Sequence, residues 1–423
     1  MTPTRGGGVA VTGMGIVCAI GHGVPAFARA LREGRSGVAR VPGDAPWLCA
    51  PAGEVSLQSA LAAGAGLPAA LLERARRAAF RSPRTIHAAL QAALEGWAAA
   101  RLHQAPLPAE RVALVVAGHN LTTGYLHRVA ERRVHAPAHL PGRLALHAQD
   151  TDHVGTLGQA LEIRGEGCTV GGASASGNVA IVTAARMVEA GAADACLVVG
   201  AMADPSPLER EGFLALGAMA ADDGREDPRR VCRPFDAGHR GFVPGEAAAC
   251  LVLESPRSAR RRGAAVLARV SGYTLALDGG GLAEPSEEGE ARAMAGALER
   301  AGVDPRRVDY VSTHGTSSPL GDATELRALR RVLGPALGAP WVNATKELTG
   351  HCLHAAGVVE AVATVVQIGQ GFVHPNPNLA RPIDPEFRFV GPAARPAAIG
   401  AALSSSFGFG GFNASVVLAA PGH

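Results

Sequence analysis

Short apolar runs alternate with longer, alanine-rich stretches along this chain. The short runs have the length and β-branched content of buried strands, whereas the longer stretches have the length of helices. Such alternation is typical of an α/β protein in which helices cover buried sheets. The pattern predicts two sets of strands, the first at 9–12, 112–117, 195–200 and 248–253 and the second at 266–273, 308–313, 397–402 and 414–419.

A helix is predicted at 174–190, because this segment is rich in alanine and valine and is followed by Gly191. Ser174 would then be the first residue of the helix. Taken alone, a serine in that place is an N-cap, which contributes roughly 1 kcal/mol to helix stability. The hydrolase motif G-x-S-x-G is narrowly missed, since Ser176 stands where its second glycine would be.

Composition is that of a soluble enzyme. The 423 residues are 47% hydrophobic, which is enough for a large core. The formal net charge of +3 provides no broad attraction to nucleic acid. The N-terminus leads from Met1 through three glycines into a strand, without the long apolar segment that a signal peptide or a membrane span needs.

The seven cysteines are scattered and form no C-x-x-C pair. Their spacing predicts neither a disulfide framework nor a zinc site, and it fits a reducing compartment. We therefore expect a cytoplasmic protein that uses no metal and no cofactor.

Seven short motifs follow one another along the chain. They are the strand and turn at 9–15, GASASG at 172–177, RPFD at 233–236, GFVPGE at 241–246, HGTSSPLGD at 314–322, TKELTGH at 345–351 and FGFGGFN at 407–413. This series resembles the β-ketoacyl-acyl-carrier-protein synthases nearly from end to end. The resemblance implies an α/β, thiolase-like fold of two similar βαβαβ halves in five layers. We expect the halves at 1–257 and 258–423, with the active site between them.

The resemblance also implies roles for polar side chains. His314 and His351 would donate hydrogen bonds to a thioester oxygen while a malonyl group loses carbon dioxide and becomes an enolate. Stabilisation placed where charge develops is commonly the largest catalytic effect. Lys346 would support the two histidines, through Glu360 or a nearby carboxylate.

Two phenylalanines near the C-terminus bear on the acyl site. Phe409 matches the family's aromatic gate beside the nucleophile, and its backbone amide would form an oxyanion hole with that of Ser174. Phe412 stands where threonine or histidine is usual, so it either narrows the acyl pocket or only alters packing. Three further histidines match no motif and are expected to be structural: His119, His239 and His354.

The chain departs from the condensing enzymes at the nucleophile, because Ser174 stands where they carry cysteine. A helix N-terminus stabilises a negative charge by about 0.3–1 kcal/mol, which is less than one pKa unit at about 1.36 kcal/mol per unit. That is too little to ionise a serine hydroxyl, although it helps to form a cysteine thiolate. Ser174 therefore needs a general base or is not a nucleophile.

A chain that keeps both histidines and the lysine but lacks the thiol is expected to decarboxylate without condensing. It resembles the serine-bearing decarboxylases of polyketide β-branching cassettes, which convert malonyl-carrier protein to acetyl-carrier protein. The alternatives are a Ser174-dependent acyltransferase or hydrolase, a non-catalytic partner subunit, and a condensing synthase with an engineered cysteine-to-serine change. Gly172, where the family commonly has threonine, argues against a single engineered change.

The family implies the partners as well. We expect a homodimer that receives its substrate from a phosphopantetheinylated acyl carrier protein. The sequence predicts no binding to nucleic acid or to a membrane.

Overall fold

A computed structural model describes residues 8–41, 47–136, 138 and 140–422. Its strands are β1 (Val9–Cys18), β2 (Gly21–His22), β3 (Ala39–Val41), β4 (Trp47–Cys49), β5 (Val112–Ala117), β6 (Gly167–Val170), β7 (Ala195–Gly200), β8 (Ala247–Glu254), β9 (Ala268–Leu277), β10 (Tyr310–Ser312), β11 (Trp341–Asn343), β12 (Phe372–Val373), β13 (Arg395–Pro396), β14 (Ala401–Gly408) and β15 (Phe412–Ala419).

The helices alternate with the strands. They are α1 (Val24–Glu33), α2 (Leu57–Ala63), α3 (Ala69–Ala78), α4 (Arg84–Ala99), α5 (Thr123–His135), α6 (Leu144–His147), α7 (Thr151–Leu161), α8 (Ser176–Glu189), α9 (Pro207–Ala215), α10 (Pro256–Arg262), α11 (Glu287–Ala301), α12 (Pro319–Leu333), α13 (Lys346–Thr349) and α14 (Ala356–Gln370). No helix in the described ranges is long and apolar enough to cross a membrane.

The main sheet contains the same arrangement twice. Its strand order is β11-β10-β14-β15-β9-β1-β8-β7-β5-β6. From the outer strand inward, each half has two parallel pairings followed by two antiparallel ones. The halves join where β1 pairs with β9 over three residues, Val9 to Val11. This duplication confirms the two similar halves that the resemblance implied.

Five layers follow from the alternation of side chains along the strands. In β5, Ala113 and Val115 face a central core shared with α8 and α14, whereas Leu114 and Val116 face an outer core with α3, α4 and α7. In the second half, β10, β14 and β15 present one face to α11 and α12. The buried helices α8 and α14 therefore lie between the two halves of the main sheet, and the predicted thiolase-like α/β fold is confirmed.

The predicted strands at 112–117 and 195–200 are confirmed without a shift. The strand predicted at 397–402 is wrong, because β14 begins at Ala401 and continues to Gly408. Its three serines, Ser404 to Ser406, are buried, and the hydroxyl of Ser405 lies 2.9 Å from that of Ser415 on β15. A cross-strand hydroxyl pair of this kind allows a serine in a buried strand, which an apolar pattern does not predict.

Candidate active site

Ser174 lies in a tight turn between β6 and α8. Ala173 to Ala175 form a 3₁₀ turn, and Ala173 has a φ of +48°, a left-handed conformation that is strained for a residue with a side chain. The helix itself begins at Ser176, so the helix start predicted at 174 is wrong by two residues. Ser174 caps neither helix with its side chain, so the N-cap interpretation is also wrong.

The Ser174 side chain contacts a histidine from the other half of the chain. Its Oγ atom lies 2.8 Å from Nε2 of His351. His351 follows α13, and its backbone amide donates to the carbonyl of Val243 at 2.7 Å. The residue is 2% exposed, and its Nδ1 atom is buried without a hydrogen-bond partner in the described part of the chain.

His314 stands beside His351, at the end of β10. The two ring centroids are 5.7 Å apart with the planes nearly perpendicular, and the ring of Phe407 packs edge-on against His314 at the same distance. The carboxyl group of Glu325 on α12 accepts hydrogen bonds from the backbone amides of His314 and Gly315, each at 2.7 Å. These bonds fix the turn that carries the histidine.

Lys346 lies behind His314, away from the cavity, and is 1% exposed. Its Nζ atom donates to the backbone carbonyl of His314 at 2.5 Å and lies 3.4 Å from Nδ1 of the same residue. Nζ also forms an ion pair with Glu360 on the buried helix α14. Lys346 therefore contacts both a histidine and the carboxylate expected from the sequence.

Burial controls the ionisation of this cluster. It lowers the pKa values of His314 and His351 well below the usual range for histidine, and the positive charge of Lys346 lowers both further. Burial raises the pKa of Glu360 to about 7, against the opposing effect of Lys346, and that of Glu325 to about 8. Both imidazoles are therefore neutral at physiological pH.

A cavity of about 760 Å³ opens onto Ser174, His314 and His351. Phe409 lines its mouth and is 40% exposed, so it is not a core residue. Gly408 packs against the turn that carries Ser174, since a Cβ atom on Gly408 would lie 3.2 Å from the amide nitrogen of Ser174. The structure thus brings the five sequence-predicted site residues into one region, with Lys346 buried behind the cavity.

Several cavity residues escaped the sequence analysis. His119 and His354, expected to be structural, both line the cavity, with ring centroids 4.5 Å apart. Glu290 on α11 also lines it. His239 instead pairs with the carboxylate of Asp322 at 2.9 Å. No sequence motif marks the first three residues, because distant segments bring them together.

Phe412 lies beside the turn that carries Ser174, whereas the cysteines lie outside the cavity. Phe412 packs against the turn, with its ring 3.3 Å from where a Cβ atom on Gly172 would stand. All seven cysteines belong to the described residues, and none of them lines the cavity. No relocated thiol therefore stands in for the cysteine that Ser174 replaces.

The sequence matches one family of models over most of its length. The family model described as "Beta-ketoacyl synthase, N-terminal domain" matches residues 7–259, and "Beta-ketoacyl synthase, C-terminal domain" matches residues 267–380. The chain is 37% identical over 415 residues to the polyketide biosynthesis malonyl-ACP decarboxylase PksF of Bacillus subtilis, covering 97% of this chain and 96% of that protein. It is 30% identical over 419 residues to 3-oxoacyl-[acyl-carrier-protein] synthase 2 of Coxiella burnetii, covering 97% and 98%.

Solved structures show the same architecture. The ishigamide ketosynthase/chain length factor aligns with a TM-score of 0.84 at 27% identity, over 98% of this chain and 99% of that one. A β-ketoacyl synthase from Burkholderia phymatum aligns with a TM-score of 0.84 at 26% identity, over 98% and 100%. Sequence and fold agree, and the chain belongs to the β-ketoacyl synthase family.

Proposed function

We propose that this enzyme removes carbon dioxide from malonyl-acyl-carrier protein and releases acetyl-acyl-carrier protein, in polyketide biosynthesis. The observation that carries the proposal is the pair of neutral, buried imidazoles beside a serine in the place of the family's cysteine. Similarity to a protein named malonyl-ACP decarboxylase over nearly the whole chain supports it.

The hydrogen bonds around the histidines assign their protons. An ammonium group can only donate, so Lys346 makes Nδ1 of His314 an acceptor and leaves the proton on Nε2. In His351, Nδ1 is buried without a partner. An unpaired lone pair there costs less than an unpaired N–H, which assigns the proton to Nε2 as well.

Two Nε2–H donors suit decarboxylation. As the bond to the malonyl carboxylate breaks, its electron pair moves into an enolate whose negative charge lies on the thioester oxygen. Hydrogen bonds from His314 and His351 to that oxygen stabilise the charge as it develops, and each such donor contributes on the order of 10²–10³ in rate. The rigid support from Lys346 keeps the first donor aimed without reorganisation.

The same assignment limits what Ser174 can do. If Nε2 of His351 carries the proton, the serine Oγ accepts the 2.8 Å hydrogen bond and has no base beside it. A neutral hydroxyl neither takes an acyl group from a thioester nor competes for the enolate. Condensation is then lost while decarboxylation remains.

Phe409 and the cavity supply the remaining parts of the proposed site. The amides of Ser174 and Phe409 supply a second set of oxyanion donors in this proposal, because Gly408 brings the two segments together. A phosphopantetheine arm would reach the histidines through the 760 Å³ cavity. An acyl carrier protein is therefore the proposed partner, and a homodimer, common in symmetric assemblies, is the proposed state.

The experiment that tests the function is incubation of the protein with malonyl-carrier protein, followed by mass analysis of the carrier. We expect the carrier-bound malonyl group to lose the mass of carbon dioxide and to remain attached as acetyl. The double variant His314→Ala/His351→Ala is the matched control, since it keeps Ser174 and removes both donors.

A serine acyltransferase or hydrolase is the second candidate, because the 2.8 Å contact between Ser174 and His351 also suits general-base activation. Free carrier protein or an acylated enzyme in the same mass spectra would establish that reaction instead. An unchanged malonyl-carrier protein would indicate a non-catalytic partner subunit.

A further inference from the structure

Glu290 is a buried residue whose carboxyl group lies in the cavity wall. The two histidine donors and Ser174 leave this carboxyl group without a role in the reaction. It is 1% exposed and lines the same cavity as Ser174, His314 and His351. Its Oε2 atom is buried and has no hydrogen-bond partner in the described ranges. A buried, unpaired carboxyl is costly, and such groups concentrate at functional sites.

The groups that face Glu290 keep it protonated. Burial raises its pKa well above the usual range, and ionisation of Glu325 on α12 raises it further. Arg327 on α12 acts in the opposite direction, while Asp278 after β9 and Glu287 on the same helix add to the rise. Glu290 is therefore a carboxylic acid with a proton to give.

Decarboxylation without condensation needs such a proton. In a condensing enzyme the enolate attacks an acyl group, but here the enolate carbon must gain hydrogen to become acetyl. We propose that Glu290 donates this proton, an inference that rests on the proposed function. The enolate electron pair forms the new carbon–hydrogen bond, the Oε–H bond of Glu290 breaks, and the carboxylate regains a proton from water.

Four proton carriers at or behind the cavity are poorly suited to this step. In the proposed reaction the Nε2–H groups of His314 and His351 hydrogen-bond to the enolate oxygen, which displaces Ser174 Oγ as the acceptor for His351. Lys346 is held by a buried carboxylate and by the carbonyl of His314. The hydroxyl of Ser174 is a far weaker acid than the carboxylic acid of Glu290.

The test compares Glu290→Gln with Glu288→Gln, a control in the same helical turn whose side chain is exposed. Carbon dioxide release and the mass of the carrier-bound product are measured with malonyl-carrier protein. We expect Glu290→Gln to lose on the order of 10²-fold in kcat, the usual contribution of a general acid. The control is expected to retain full activity.

Two further readouts separate proton donation from a structural role. In the unaltered protein kcat falls as pH rises through the pKa of Glu290, and this decrease is expected to disappear in Glu290→Gln. In Glu290→Ala, added formate should restore part of the rate, because its protonated form, formic acid, can occupy the vacated space and donate the proton. Formamide, of similar size but not acidic, should not.

Full kcat in Glu290→Gln would overturn the inference. A reduced kcat that retains the alkaline decrease, together with no rescue of Glu290→Ala by formate, would overturn it as well. Failure of the proposed function is distinguishable, because the unaltered protein itself would then release no carbon dioxide. That result would remove the basis of both proposals.

Discussion

The hydroxyl of Ser174 and the imidazole of His351 meet at 2.8 Å although 177 positions separate them in the chain. One residue precedes the buried helix α8, and the other lies shortly before the buried helix α14. The contact therefore crosses between the two similar halves of the fold. The protonation of His351 Nε2 at this contact determines whether Ser174 has a general base beside it.

Removing either histidine should cost more than removing the serine. His314→Ala and His351→Ala each lose one donor to the enolate oxygen, so we expect kcat to fall on the order of 10²–10³-fold. Ser174→Ala loses one neutral hydrogen bond of about 0.5–1.5 kcal/mol, which corresponds to at most about tenfold. Carbon dioxide release under saturating malonyl-carrier protein measures all three. Equal, near-complete loss in the three variants would indicate an acyl-serine mechanism.

Restoring the thiol should restore acyl transfer. Ser174→Cys places a sulfur at the same turn, where an Nε2–H donor and the helix N-terminus favour the thiolate. We expect intact-protein mass spectrometry to show one acyl group on this variant after incubation with an acyl-carrier protein. The unaltered protein is the control, and stable acylation of its serine to the same extent would contradict the decarboxylase proposal.

The ion pair between Lys346 and Glu360 should matter for folding and for activity separately. Lys346→Met leaves a buried carboxylate without its partner, which typically costs about 3–5 kcal/mol in the free energy of unfolding. The double variant Lys346→Met/Glu360→Leu replaces both charges by apolar groups and should recover most of that stability. Urea unfolding of the single and the double variant measures these changes in the free energy of unfolding.

Activity is expected to remain low in the same double variant. The support of His314 is lost with the lysine, so the histidine is no longer held in one orientation. A double variant that recovered carbon dioxide release along with stability would show that Lys346 has no positioning role.

His153 should make the fold sensitive to acid. The side chain is fully buried, neither ring nitrogen has a partner in the described ranges, and burial lowers its pKa from 6.5 to about 4. The unfolded chain gains a proton below pH 6.5 that the folded protein does not, so stability present above that pH is lost as pH falls towards 4. His153→Leu should reduce the loss between pH 7 and pH 4.5 by about 2–3 kcal/mol, measured by urea unfolding. An unchanged slope would contradict this assignment.

The central strands could be predicted because they are apolar on both faces, as in β5 and β7. The serine-rich strand β14 could not, because the hydroxyl pair between Ser405 and Ser415 forms only when the two strands lie side by side in the folded sheet. The proposed division between residues 257 and 258 stays a prediction. The duplication became visible only in the pairing directions of the strands.

The candidate site was predictable where contiguous motifs carry it, as at His314 and His351. Glu290 was not, because it lies in an acidic helical turn whose other glutamates are more exposed. Its burial arises only in the folded protein, where α11 packs against α12. His119 and His354 escaped for the same reason, since their proximity exists only in three dimensions.

The two central helices approach each other at Gly177 and Gly357. A Cβ atom on Gly177 would stand 2.7 Å from the amide nitrogen of Gly357, so main chain lies directly on main chain. The distance between the turn that carries Ser174 and the turn that carries His351 is therefore set by the backbone. Evolution could exchange one atom at residue 174, sulfur for oxygen, and change the product of the enzyme without disturbing the frame that holds its substrate.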